Sequence, residues 1–212
     1  MRRPYTVLFY TLLAALGLLP LFRALSLPEW PIDIVLALSL LEASSAAMHS
    51  RHRLLIGLLA TVIVVGLGGR LLGLGVIFGE ASSVGWVIVA VFASAGALRF
   101  MFSPGATWSE QLYAALSAYL LVGLFMGVLF TAIAARSPGA FLVLGTAPSP
   151  GTFDLGTGVY FSFVTLTTLG YGDIVPANEL SRGLAIFEAV SGQLYLAVLV
   201  AALVNRRAPV QA

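Results

Sequence analysis

The sequence predicts an all-α integral membrane protein with six transmembrane helices and one half-length helix that enters and leaves the membrane on the same side. Three observations predict it. Of the 212 residues, 59% are hydrophobic and 9% charged, with a mean hydropathy of +1.00, whereas a soluble domain carries about 25% charged residues. Apolar stretches recur at about 5–25, 31–48, 54–78, 84–102, 108–135 and 180–204, and roughly 20 residues cross about 30 Å of hydrocarbon. Between the last two lies a shorter apolar segment, about 156–167.

The stretches read as helices because only helices and closed barrels satisfy backbone groups in lipid. They are too long and too unalternating for barrel strands. The opening MRRPYTVLFYTLLAALGLLP has the basic start and apolar run of a cleaved leader, yet no small-x-small site follows before Phe22-Arg23. It is therefore read as the first span. Pro28 and Pro31 bracket the first outer loop, and Ser103-Pro104-Gly105 ends the fourth span. Thr107-Trp108-Ser109-Glu110 has the spacing of a capping box opening the fifth span. The loop 136–155 holds Pro138, Gly139, Pro148, Pro150 and Gly151, so it is expected to be irregular. Asp154 is placed to cap the half-length helix.

All eleven basic residues are arginine, and they orient the chain. With the N-terminus cytoplasmic, Arg2, Arg3, Arg51, Arg53, Arg99, Arg206 and Arg207 fall inside or at the inner edge. Arg23, Arg70, Arg136 and Arg182 fall outside. Both termini are then cytoplasmic, and the half-length helix enters from outside. The chain divides near residue 106. Residues 1–106 form a four-helix transmembrane module of unknown role, and residues 107–212 form helix, re-entrant segment and helix.

Composition also excludes. A net charge of +2 without a basic stripe gives no footprint for nucleic acid. The absence of cysteine rules out disulfides, thiolate catalysis and cysteine-type zinc sites. Gly66-Leu67-Gly68-Gly69 lacks the preceding strand and following acid of a nucleotide loop. Gly69-x-x-x-Gly73 and Gly123-x-x-x-Gly127 read instead as close helix packing. His49 and His52 flank Arg51 in a juxtamembrane loop, where a lipid headgroup contact is expected rather than a metal site. No set of nucleophile, base and oxyanion donor is evident, so neither an enzyme nor an organic cofactor is expected.

The half-length helix runs into Thr165-Leu166-Thr167-Thr168-Leu169-Gly170-Tyr171-Gly172-Asp173. Stripping water from K⁺ takes a ring of oxygens that replaces its hydration shell. One short loop cannot encircle an ion, but four copies can. Turning consecutive carbonyls inward needs backbone conformations that glycine tolerates, and Gly170 and Gly172 are spaced for it. Tyr171 between them can point outward and hold the ring at its diameter, while the Thr168 hydroxyl can add an inner ring of ligands. About twelve helical residues span roughly 18 Å, and their C-terminal partial negative charge favours a cation at the centre.

TTLGYGD resembles the signature sequence of tetrameric potassium channels, and the resemblance extends over about residues 107–207. Tyr160-Phe161 occupy the family's paired aromatic position, Pro176 follows the filter, and Arg182 opens the inner helix. Gly192 lies where the family places its hinge glycine, within Phe187–Tyr195, a stretch similar to the inner helix of small prokaryotic six-span ion-channel-domain proteins without a voltage sensor. The resemblance implies that the carbonyls of Thr168, Leu169, Gly170 and Tyr171, with the Thr168 hydroxyl, coordinate K⁺. It places Gly172 and Asp173 at the outer mouth, and Gln193, Leu196, Val200 and Val204 on the cavity wall. Two positions depart from it. Leu169 stands where many members have Val or Ile, though only its carbonyl faces the ion. Val164 stands where some bacterial members carry a glutamate paired with the filter aspartate, so Asp173 is expected to take another partner, a Trp or Tyr.

Voltage sensing needs three or four gating charges on one helix. The fourth span carries one arginine, Arg99, and only Ser103–Ala106 separates it from the fifth. Steep voltage gating is therefore not expected, nor is a cytoplasmic ligand-binding domain beyond Arg207. Arg70 lies at a depth matching Asp33, and a structural pair between them is expected. Glu42 has no cation at its depth; it is expected to be protonated or bonded to Ser44, Ser45 or another helix, with a sensing role as the alternative. Glu188 is expected to brace the half-length helix through a hydroxyl such as Ser162 or Thr165.

These readings converge on a potassium-selective channel subunit with K⁺ as the permeant ion. It is expected to assemble as a homotetramer among membrane lipids, multi-pass in the cell membrane (the inner membrane of a bacterium). Two alternatives remain. One is a non-conducting regulatory or interaction subunit that works with an accessory subunit. The other is a pH-sensing membrane protein acting through Glu42, His49 or His52.

Overall fold

The computed structural model describes residues 4–25, 94–95, 97, 99–100, 107–149 and 151–205. Helices α1 (Pro4–Ala24), α2 (Trp108–Arg136), α3 (Leu155–Leu166) and α4 (Glu179–Asn205) alternate with two short strands, β1 (Phe141–Val143) and β2 (Ile174–Pro176). Among the described residues, α1, α2 and α4 are long and apolar enough to cross a membrane, and α3 is not. Residues 94, 95, 97, 99 and 100 are helical. The expected second and third spans lie outside the described residues, and Asp33, Glu42, His49, His52 and Arg70 lie there with them.

The chain forms two compact units, Met1–Phe125 and Met126–Ala212, with α2 contributing to both. In the first unit, α1 buries Tyr5, Leu8, Leu12 and Ala15, a stripe at helical spacing. The Tyr5 ring lies 4.4 Å from Phe100. Helices α1 and α2 begin side by side. The Tyr10 and Tyr113 hydroxyls are 3.2 Å apart, and the Phe9 ring lies 5.6 Å from that of Tyr113. Glu110, expected to close a capping box on its own helix, reaches across instead. Its carboxylate accepts from the Tyr5 amide at 3.2 Å and from the Thr6 hydroxyl. The physical reason is that the first turn of α1 carries no acidic residue. Its first amides and positive helix end attract the Glu110 carboxylate.

The second unit is organised by phenylalanines. Phe130 on α2 meets Phe161 on α3 edge-on at 4.9 Å, and Phe141 on β1 lies 5.2 Å from Phe161 and 4.8 Å from Phe153. Such pairs add about 0.5–1.5 kcal/mol each beyond their buried area. Beside this cluster α2 and α3 approach at backbone distance. A Cβ on Gly127 would lie 2.6 Å from the Val159 Cα, and one on Gly158 would lie 2.5 Å from the Gly127 carbonyl oxygen. The loop expected to be irregular contains β1, which pairs antiparallel with β2 in the register Phe141↔Pro176, Leu142↔Val175, Val143↔Ile174. The Leu144 amide donates to the Asp173 carbonyl at 2.7 Å, and the Ala177 amide to the Ala140 carbonyl at 2.8 Å. Bonded pairs thus alternate through Leu142↔Val175, leaving Pro176 at a non-bonded position where its missing N–H is not needed.

Adding one methyl at the α2–α3 crossing is predicted to destabilise the protein. Gly158→Ala should lower stability by about 1–3 kcal/mol, the usual effect of overpacking a tight contact. Thermal unfolding of the purified protein in detergent checks this, with Gly17→Ala, whose Cβ meets nothing within 4 Å, as the control.

Candidate functional site

The half-length helix α3 is tied at both ends. Asp154 caps its start, its carboxylate accepting from the Thr157 amide at 2.8 Å and the Thr157 hydroxyl at 2.7 Å. At the other end, the Thr168 amide donates to the Thr165 carbonyl and the Leu169 amide to the Val164 carbonyl, both at 2.9 Å. With Thr167 as C-cap, these are the two bonds of a Schellman motif. That motif requires a left-handed residue next. Thr168 supplies it at φ 59°, although a β-branched side chain resists that region. The sequence pattern named Thr168 as a ligand but pointed only to the glycines for left-handed backbone.

The amides of Thr168 and Leu169, joined by the Gly170 amide at 3.4 Å from the Val164 oxygen, all face the end of α3. In a trans peptide the carbonyl points opposite to the following N–H. The carbonyls of Thr167, Thr168 and Leu169 therefore point away from the helix. The left-handed conformation then recurs at every second residue, Thr168 (59°), Gly170 (57°) and Gly172 (82°). An ordinary strand sends successive carbonyls to opposite sides, and alternating the sign of φ brings them to one side. Among the described residues no backbone group donates to the carbonyls of Thr168, Leu169, Gly170 or Tyr171. These residues are exposed within one chain, Leu169 at 59% and Tyr171 at 67%.

The exit of the segment is fixed separately. Asp173 gives its carbonyl to the Leu144 amide, and its carboxylate accepts from the Tyr160 hydroxyl at 2.7 Å. Tyr160 is the aromatic partner that the missing glutamate at Val164 left open. The bond to Asp173 raises the phenol above its ordinary pKa, so it stays protonated and donating. Phe161, its neighbour in sequence, turns inward to the phenylalanine cluster. Beyond β2, the Ser181 hydroxyl donates to the Ala140 carbonyl at 2.7 Å and the Arg182 Nε to the Pro176 carbonyl at 3.3 Å.

Helix α4 runs unbroken through Gly192. A Cβ there would lie 2.8 Å from the Leu166 carbonyl oxygen, so glycine is required for close approach of α4 to the end of α3. One residue on, the Gln193 amide nitrogen lies 3.4 Å from the Thr168 hydroxyl. Val200 and Val204 are exposed on the same helix and Leu196 is half-buried. Glu188 is buried and accepts from Ser162, one of the two hydroxyls expected for it, at 2.5 Å.

Losing the phenol should loosen the exit. Tyr160→Phe and Asp173→Asn are predicted to couple by about 0.5–1.5 kcal/mol, the net worth of one hydrogen bond. A double-mutant cycle on thermal unfolding measures it, and additive effects would contradict the bond.

Residues 115–207 match the ion channel family model. The chain is 38% identical over 69 residues to the voltage-gated potassium channel Kch of Escherichia coli K12, covering 32% of this chain and 16% of that protein. It is 34% identical over 87 residues to the two pore potassium channel c of Oryza sativa subsp. japonica, covering 41% and 18%. With the potassium channel K2 of Plasmodium berghei it shares 57% identity over 28 residues, 13% of this chain and 2% of that one. The chain thus spans less than a fifth of the length of these relatives. No solved structure matches. Residues 115–207 are thus similar to the ion channel family, and the relatives named above are potassium channels.

Proposed function

We propose that the chain is a subunit of a potassium-selective channel that conducts passively across the membrane, with residues 107–212 as its pore module and residues 1–106 as a separate front module. The observation that carries the reading is the run of four carbonyls, Thr168 to Tyr171, without a backbone partner on a segment of alternating hand. Unpaired backbone oxygens are costly in a membrane unless something replaces water, and a dehydrated cation does so. One chain offers one quarter of a cage, so the reading includes a fourfold homotetramer in which Tyr171 packs on neighbouring subunits. Gly172 and Asp173 frame the outer mouth. Gln193, Leu196, Val200 and Val204 line the cavity below, and Gly192 is where α4 hinges.

Topology supports the orientation. Because α1 and α2 start side by side, they cross in the same direction, and the chain between them makes an odd number of crossings. Three such crossings give six spans with both termini cytoplasmic, as the arginine distribution favours. The single arginine near the end of the fourth span, Arg99, supports conduction without steep voltage dependence.

The test is flux in reconstituted vesicles, with K⁺ expected to pass and Na⁺ to be largely refused. Equal permeation of both ions, or no K⁺ flux, would sink the reading. Gly172→Ala is expected to abolish K⁺ flux while leaving the assembly intact. A Cβ at Gly172 touches nothing within 4 Å, so the effect is torsional. At φ 82° it amounts to about 1–2 kcal/mol in each subunit.

A further inference from the structure

We propose that Glu188 is a positioning residue for the filter, setting through Ser162 the axial register of α3 against α4; the inference rests on the channel reading above. Both side chains are sealed from solvent, Glu188 at 1% and Ser162 at 0% exposure. The Ser162 hydroxyl donates to Glu188 Oε1 at 2.5 Å, and Oε2 is buried with no partner among the described residues. A carboxyl group so placed is an expensive way to join two helices that already bury apolar faces against each other. What it adds is direction. Apolar helix faces slide over one another at little cost, whereas a short hydrogen bond selects one register.

The register has a specific consequence here. One turn beyond Glu188 is Gly192, and one turn beyond Ser162 is Leu166, whose carbonyl sits 2.8 Å from where a Gly192 Cβ would be. The helices are therefore docked at two points, each a turn apart. Leu166 is the last residue of α3, and the carbonyls of Val164 and Thr165 just before it hold the amides of Thr168, Leu169 and Gly170. A displacement of α3 along its axis is passed directly to the first filter carbonyls. The Glu188–Ser162 bond acts on the ion through them and touches no ion itself.

The experiment compares the K⁺ to Na⁺ permeability ratio in vesicles with the thermal stability of the purified assembly, for the full chain and four variants. Glu188→Gln keeps an acceptor for Ser162, and its ratio should stay within about twofold of the parent. Ser162→Ala and Glu188→Leu should each lower the ratio by about tenfold, a displacement equivalent to one lost hydrogen bond to a charged or polar partner. The double variant Ser162→Ala/Glu188→Leu removes both polar groups, so its stability should recover while its ratio stays low. A ratio restored in the double variant, or unchanged in the single ones, would overturn the proposal and leave the bond as a packing device. If the single variants do not assemble, the double variant decides by the same criterion. A parent chain that does not select K⁺ would show that the channel reading has failed, before any variant is compared.

Discussion

Everything in the second unit depends on how the C-terminus of α3 is closed. A helix ends with carbonyls that lack partners, and here the amides of the following three residues supply them. That closure turns the backbone left-handed at Thr168 and aims its carbonyls away from the helix. The geometry of the proposed filter is thus an extension of helix capping. The phenylalanine cluster, the Gly127–Gly158 crossing and the Gly192 approach hold α3 in place so that the cap faces a defined direction.

Much of this was legible in the sequence because it rests on length, apolarity and glycine. Helices α1, α2, α3 and α4 lie within a residue or two of the apolar stretches, since a membrane leaves a long apolar run no other structure to adopt. Asp154 is at the cap expected of it. Glu188 was visible as a carboxyl group within an apolar span, expected to brace α3 through a hydroxyl such as Ser162 or Thr165. Ser162, fully buried, is the one it meets.

The parts that escaped depend on partners distant in sequence. Strand β1 is three residues in a proline- and glycine-rich loop, and becomes a strand only because residues 174–176 return to pair with it. Glu110 carried a sound local signal for a capping box, yet its carboxylate accepts from Tyr5 and Thr6 in the first turn of α1, over a hundred residues earlier. Thr168 has poor propensity for its conformation. The demand comes from ring closure at the end of α3, which no single-residue preference encodes.

In the proposed channel, the β1–β2 pairing bears on how the filter would meet its ion. Thr168 is fastened to α3 at one end of the segment, and Asp173 is fastened to Leu144 and Tyr160 at the other. A stretch of six residues suspended between two anchors has lost most of its conformational entropy on folding, at about 1–2 kcal/mol for each residue's backbone. An arriving cation therefore does not have to order its own ligands. In the proposed channel the filter would be a rigid host, whose preference between ions of different radius is decided by fit and field and is little blurred by compliance.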